Sequence, residues 1–475
     1  MKYKKSKRGK SIDRQRNLHY NGVDIFPRRR SDMMKLIRQI TTTERAPMVD
    51  RIRTGGICTS ELNSLPPLRN VKWRGFGGCL NEAGIAALDT LSPSLRNSIL
   101  DDLFLPERMG LNFCRLPIGA NDYALEWYSC DETSEDYSLR DFSIARDKLF
   151  VLRYAEEALA RNPNIEFFAS PWSPPSWMKE PARYCGGHIR STPEVLSAYA
   201  RYLMKWLRAY EEEGIHVSIL LPQNEWASDN IYPTCLWTGE MMREFIAKYL
   251  GPALETSGLT TELWLGTING TGTLGGPGSR YNEYTNIVLD DPEAFRHIRG
   301  VAYQWEGKAA LRPSVESYPE LEYMQSENEC GDGSNSWEYA NYVFELMRLY
   351  ITGGVCAYCY WNAVLPKGGE SSWGWKQNSM ITTERGTAHR EYEYYIFYHA
   401  AGFVRRGAQV LRLSGRMSGN AFGFINPDGT HVIVIQNPFP YEKSISYEGA
   451  SCTLMPRSVT TLLFSDTTEA PFSQS

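Results

Sequence analysis

Val217-Ser218-Ile219-Leu220-Leu221-Pro222-Gln223-Asn224-Glu225 is an apolar run of strand length that stops abruptly on an amide and a carboxylate. Leu321-Glu322-Tyr323-Met324-Gln325-Ser326-Glu327 repeats the arrangement further along the chain. Short apolar runs bounded by turn residues read as strands buried on both faces. Working outward from these two, strands are expected at 71–76, 111–116, 165–169, 217–221, 263–267, 300–303, 321–325 and 355–361. Between them lie longer segments of helical period. The clearest starts at Thr192-Pro193-Glu194, a capping residue followed by proline at the first helical position. It carries Leu196, Tyr199, Ala200, Leu203, Trp206, Leu207 and Tyr210 on one face and stops at Gly214. A second helix, 337–351, ends before Gly353-Gly354 and leads into the last strand. Eight strands alternating with helices predict an α/β fold, a (β/α)8 TIM barrel with parallel strands.

The 475 residues exceed the roughly 250 that one barrel needs, so a second, smaller domain is expected. After residue 404 the pattern changes to short alternating segments. Residues 422–425 and 431–436 flank Asn426-Pro427-Asp428-Gly429, which reads as a β-hairpin.

Composition excludes several classes. The net charge is −4 with both signs interspersed, so no electrostatic footprint for nucleic acid is present. No run of about 20 apolar residues suggests a membrane span. Lys2, Lys4, Lys5, Lys7, Arg8 and Lys10 resemble the start of an export signal, but the polar stretch after them supplies no apolar core, so 1–20 reads as a flexible basic tail. Without an export signal, the ten cysteines read as reduced thiols and the location as cytoplasmic. Cys356 and Cys359 have CxxC spacing but lie in an apolar run with no second pair, and the seven histidines show no HExxH arrangement. No metal or other cofactor is therefore expected.

Two carboxylates at the C-terminal ends of barrel strands four and seven suit one chemistry in particular. Retaining glycoside hydrolysis needs two carboxyl groups about 5 to 5.5 Å apart, one to protonate the leaving oxygen and one to attack the anomeric carbon. Glu225 follows the fourth strand and Glu327 the seventh, on opposite sides of a barrel whose strand ends converge on one site. Asn224 would then reach the sugar 2-hydroxyl, a bond that strengthens in the transition state.

Several separated stretches carry a family likeness. Gly75-Phe76-Gly77-Gly78 with Glu82-Ala83 comes first, then Arg115-Leu116-Pro117-Ile118-Gly119 through Asp122-Tyr123, then Ser170-Pro171-Trp172-Ser173-Pro174-Pro175 to Met178-Lys179. Asn224-Glu225, Ser326-Glu327 and Tyr360-Trp361-Asn362 follow. In this set the sequence resembles glycoside hydrolase family 30, the clan A retaining enzymes that include glucosylceramidases, β-1,6-glucanases and some xylan-active enzymes. The resemblance implies a barrel with a side β-sandwich domain made from both chain ends. The division expected is 21–70 as an N-terminal contribution to that domain, 71–404 as the catalytic barrel and 405–475 as the rest.

It further implies Glu225 as acid/base, Glu327 as nucleophile, Asn224 as its partner at the sugar, and Arg115 as a cation beneath the nucleophile. Asp122, Trp172, Trp305, Trp361 and Asn378 are implied to line the sugar subsite. Trp226 departs from the Asn-Glu-Pro of many relatives, Gln304 replaces a common His, and Glu306 a Tyr found in glucosylceramidases. Ser326-Glu327-Asn328-Glu329-Cys330 offers two glutamates where glucosylceramidases show one; Glu327 keeps the spacing from the strand and is preferred. The substrate expected is a β-glucoside, β-glucan or β-xyloside, released as single sugars. Endo-action on a β-1,6-glucan or xylan is the alternative of the same chemistry, and a non-catalytic carbohydrate-binding barrel the alternative of another class.

Overall fold

The computed structural model describes residues 34–67, 69–270 and 280–466. The basic tail expected at 1–20 lies outside them. Eight parallel strands close into a barrel in sequence order: β1 (Gly75–Cys79), β2 (Phe113–Ile118), β3 (Glu166–Pro171), β4 (Val217–Leu220), β5 (Glu262–Ile268), β6 (Ile298–Gln304), β7 (Glu322–Glu327) and β8 (Ala357–Asn362), with β8 pairing back to β1. This is the (β/α)8 fold the sequence predicts.

The strands differ from expectation most at the first. Val71 and Trp73 precede β1 rather than belonging to it. The Trp73 N–H bonds the Ala408 carbonyl, and its own carbonyl accepts from Gly407, so this apolar segment fastens the barrel floor to the second domain. The strand proper is the glycine run. At Gly77 a Cβ would lie 1.6 Å from the Phe113 carbonyl oxygen, so only glycine lets β1 approach β2.

The helices start and stop where capping chemistry dictates. In Pro193–Glu212 the Thr192 hydroxyl accepts from the Val195 N–H at 3.3 Å, and Gly214 turns away with φ +84°. Trp337–Gly353 runs two residues past the expected end because Gly354, at φ +102°, provides the left-handed stop.

The barrel interior is packed, with Phe113, Phe168, Ile219, Trp264, Ala302, Met324 and Cys359 in one cluster. Its N-terminal mouth is closed by Arg74, whose guanidinium binds Glu166 on β3, Glu262 on β5 at 3.1 Å and Glu322 on β7 at 2.8 Å. All ten cysteines are free thiols, and Cys356 and Cys359 are buried barrel residues. No helix among the described residues is long and apolar enough to cross a membrane.

The second domain is a nine-stranded sheet. Its order is Ala46–Asp50, Met34–Thr43, Ser458–Asp466, His431–Asn437, Ala421–Ile425, Gln409–Ser414, Ser60–Leu65, Lys443–Tyr447 and Ala450–Leu454. Segments on both sides of the barrel in sequence thus build one sheet. Its ends are brought together by Gln39, whose amide donates to the Thr453 carbonyl at 2.9 Å and accepts from the Arg53 N–H at 2.9 Å. The rolled sheet encloses its own core of Leu62, Ile433, Ile435, Ile445, Leu462 and Phe464. The expected hairpin is present, with Gly429 at φ +82° closing on Asn426.

Barrel and sheet meet across the helix Tyr392–Ala401. Its His399 is fully buried between Thr461 and Thr42, each 2.8 Å from a ring nitrogen. Burial lowers its pKa to about 3. The unfolded chain, titrating near 6.5, binds the proton first as pH falls, so this residue's contribution to stability is whole above about pH 6.5 and is lost toward pH 3. Denaturant unfolding at pH 7 and pH 5 is expected to show wild type losing about 2 kcal/mol more than His399→Gln over that interval. Equal losses in the two proteins would contradict a neutral buried imidazole.

Candidate active site

β4 ends at Leu220, and the chain crosses the barrel mouth through Pro222 and Gln223 to Asn224 and Glu225. Glu225 has φ +39°, in the left-handed region that costs a non-glycine residue roughly 1–3 kcal/mol. The turn is held by neighbours. The Asn224 N–H donates to the Pro171 carbonyl at 2.7 Å, and the Glu225 N–H to the Thr267 hydroxyl at 3.2 Å. The Trp226 indole, 1% exposed, donates to the carbonyls of Gln223 and Gly266. The residue that departs from the family pattern therefore anchors the loop from below. The Glu225 carboxyl accepts from Asn269 Nδ2 at 2.8 Å and Tyr232 Oη at 3.4 Å.

Glu327 is the last residue of β7. Arg115, from β2 and with no solvent exposure, reaches it with Nη1 at 2.5 Å. The same guanidinium donates to Ser170 Oγ at 2.7 Å and Asn224 Oδ1 at 2.7 Å, and it lies over the rings of Trp172 and Trp361. Gln304, at the end of β6, points Nε2 at Glu327 Oε2, Asn224 Oδ1 and Thr267 Oγ1, at 2.8, 2.8 and 3.0 Å. With Arg115, Thr267 and Gln304 all donating to its oxygen, Asn224 has a fixed amide orientation.

Glu225 and Glu327 line one cavity of about 530 Å³ at the C-terminal mouth of the barrel. Asp122, Trp172 and Trp305 line it too. Trp361 stands behind them, its indole donating to Asp122 Oδ2 at 3.2 Å and its ring 5.2 Å from that of Trp172. Arg115 and Asn224 lie beneath. Asn378 does not belong to this group. Its oxygen accepts from the N–H groups of Gly333 and Asn335, and its nitrogen donates to Glu393, so it clamps the loop after β7 while its neighbour Gln377 faces the cavity. Glu329 lines the cavity farther out, on the loop, hydrogen-bonded by Tyr342 and Tyr339. Glu306 is also on the wall.

Asn269, Tyr232, Thr267 and Trp375 escaped the sequence reading. Thr267 and Asn269 sit at and just past the end of β5, where barrel chemistry concentrates, so strand position alone was a usable signal. Tyr232 and Trp375 come from loops with no periodicity to announce them.

Burial pushes the carboxyls of Glu225, Glu327 and Asp122 up, Asp122 to about 7, and charge on Glu225 raises the other two further. Arg115 acts in the opposite direction at all three, and only Glu327 touches it. Carboxyls this close titrate as a group and retain a shared proton. The guanidinium contact favours negative charge on Glu327, whereas the hydrogen-bond donors to Glu225 are neutral. Such a pair can donate a proton from one face of a bound molecule while offering a nucleophilic oxygen from the other.

Comparison with known proteins agrees with this geometry. The sequence model described as the glycosyl hydrolase family 30 TIM-barrel domain matches residues 73–406. "Putative glucosylceramidase 3" of Caenorhabditis elegans is 29% identical over 390 residues, covering 76% of this chain and 72% of its own. The endo-1,6-β-D-glucanase neg1 of Aspergillus fumigatus is 26% identical over 402 residues, covering 77% and 78%. Among solved structures, SrfJ from Salmonella typhimurium superposes with a TM-score of 0.81 at 24% identity, covering 90% of this chain and 99% of its own.

Because Asn269 holds the Glu225 pKa down by donating to the carboxylate, Asn269→Ala is expected to raise that pKa. NMR titration of the labelled glutamate carboxyl carbons reads the change. A pKa that stays put or falls would remove Asn269 from the account.

Proposed function

Given that this chain belongs to glycosyl hydrolase family 30, we propose that Glu327 is the nucleophile and Glu225 the acid/base of its β-glycosidase reaction. The enzyme is a retaining glycoside hydrolase, so its substrate is a carbohydrate. One observation carries the assignment of roles: the buried Arg115 contacts Glu327 at 2.5 Å, while Glu225 is held only by neutral donors.

In the first step protonated Glu225 gives its proton to the glycosidic oxygen as an oxygen of Glu327 attacks the anomeric carbon. The aglycone leaves as an alcohol, and a glycosyl ester on Glu327 remains. In the second step Glu225, now a carboxylate, takes a proton from water. That water attacks the same carbon, the ester breaks, and a sugar of unchanged anomeric configuration departs. Asn224, fixed by three donors, is placed to meet the 2-hydroxyl. Trp172 presents an aromatic face to the C–H face of the ring, and Asp122 Oδ1, buried and without a hydrogen-bond partner among the described residues, suits a sugar hydroxyl. The names of the two relatives both specify glucose-based substrates, which supports a β-glucosyl residue in this position.

With an aryl β-glucoside, NMR of the first-formed product is expected to show the β anomer. An α anomer would remove the covalent step altogether. Glu327→Gln is expected to lower kcat on the order of 10⁴-fold or more, and Glu329→Gln to stay within about tenfold of wild type. Labelling by a 2-fluoro glycosyl fluoride that falls on Glu329 would reverse the assignment.

A further inference from the structure

The mouth of the cavity carries aromatic surface that cleavage of one bond does not use. Half of Trp127 is exposed, in the loop that follows β2. Its ring lies 5.6 Å from that of Trp373, inclined by 32°, and 6.2 Å from that of Tyr184. Trp373 belongs to the loop after β8 and touches the site directly, its indole donating to the Asp122 carbonyl at 2.7 Å. Two residues on, Trp375 lines the cavity and packs edge-on against Tyr232, the donor to Glu225. The rings of Trp127, Trp373 and Tyr184 therefore form one cluster, joined to the cavity through the Asp122 carbonyl and the nearby Trp375.

This row is preorganised. Ser372 Oγ donates to the Leu125 carbonyl at 3.0 Å and Tyr123 Oη to the Gly369 carbonyl at 2.6 Å, so the two loops are tied to each other. Little conformational freedom is lost when a ligand lies on rings already fixed. The surroundings are polar. Glu126, three-quarters exposed, pairs with Arg146, and the Tyr184 hydroxyl bonds Glu132. An acyl chain laid here would strip water from these groups without replacing its bonds. A pyranose covers the rings with its C–H face and turns its hydroxyls toward the carboxylates.

We propose that Trp127, Trp373 and Tyr184 bind further sugar units of a β-linked oligosaccharide whose scissile bond lies at Glu225 and Glu327. This rests on the proposed hydrolysis and adds the substrate class: a glycan chain, not a lipid glucoside.

The test separates binding from turnover. Glu327→Gln and Glu327→Gln/Trp127→Ala proteins are titrated calorimetrically with gluco-oligosaccharides of β-1,3, β-1,4 and β-1,6 linkage and with xylo-oligosaccharides, each lengthened one sugar at a time from the disaccharide. In one series affinity is expected to rise with length. Trp127→Ala should lower the affinity for its longer members roughly five- to tenfold, with Trp127→Tyr restoring most of it. Trp127→Ala should match the wild type in circular dichroism and in thermal unfolding midpoint, which checks its fold. No length-dependent loss in any series overturns the proposal, as does a loss confined to dodecyl β-glucoside micelles. If Glu327→Gln still hydrolyses, the nucleophile assignment falls on its own, and the same comparison is then read from kcat/KM.

Discussion

A guanidinium without access to water, set at the top of the barrel axis, constrains everything around it. Removing such a cation from solvent costs several kcal/mol unless its donors are all met and its charge is balanced. Arg115 is met by Ser170 from β3, Asn224 after β4 and Glu327 from β7, with two adjacent tryptophan rings beside it. The floor of the same barrel holds a second arginine under different terms. Arg74 is surrounded by three carboxylates and is charge-saturated, so it can only brace β3, β5 and β7. Among the described residues Arg115 has a single carboxylate in contact, and it meets Glu327 at Oε2, as Gln304 does.

Gln304 completes this arrangement without adding charge. Its one amide nitrogen links Glu327, Asn224 and Thr267, and so binds β6 to the ends of β4, β5 and β7. A histidine in the same place would titrate within the working range and add a second cation beside the carboxylate. With an amide there, no further titrating group is added beside the Glu327 carboxylate. The left-handed turn at Glu225 belongs to the same network, since Thr267 caps its N–H while also bonding Asn224. Strain at Glu225 is thus balanced by groups that themselves converge on Glu327.

Much of this was legible in the sequence because fully buried parallel strands leave a plain signature. β4 and β7 belong to apolar runs that stop on polar residues, and Glu225 and Glu327 there line one cavity. β1 was displaced in the reading because its interior is glycine, chosen for backbone approach to β2 and invisible to a hydrophobicity pattern. Arg115, Asp122, Trp172 and Trp305 were named through the family resemblance; the last three line the cavity, and Arg115 contacts Glu327. Asn378 was misplaced by the same route, since motif position says nothing about which of two adjacent side chains turns inward. Tyr232 and Trp375 were missed because loop conformation is set by tertiary contacts. That both chain ends share one domain was implied only by resemblance, and the pairing of Met34–Thr43 with Ser458–Asp466 was not read at all, because strand pattern carries no information on distant partners.

That pairing bears on how the protein is made. Met34–Thr43 leaves the ribosome with most of the chain still to be translated, and its full-length partner Ser458–Asp466 emerges after all eight barrel strands. Long-range closure of this kind is slow and leaves strand edges open to wrong partners in the interval. The first strand must therefore wait, with Ile40 uncovered and one edge unpaired, and the buried face of Tyr392–Ala401 stays bare until both ends arrive. The rolled sheet works as a seal of completeness. A nascent chain released before the last strand would present those same surfaces to chaperones and proteases, however well its barrel had formed.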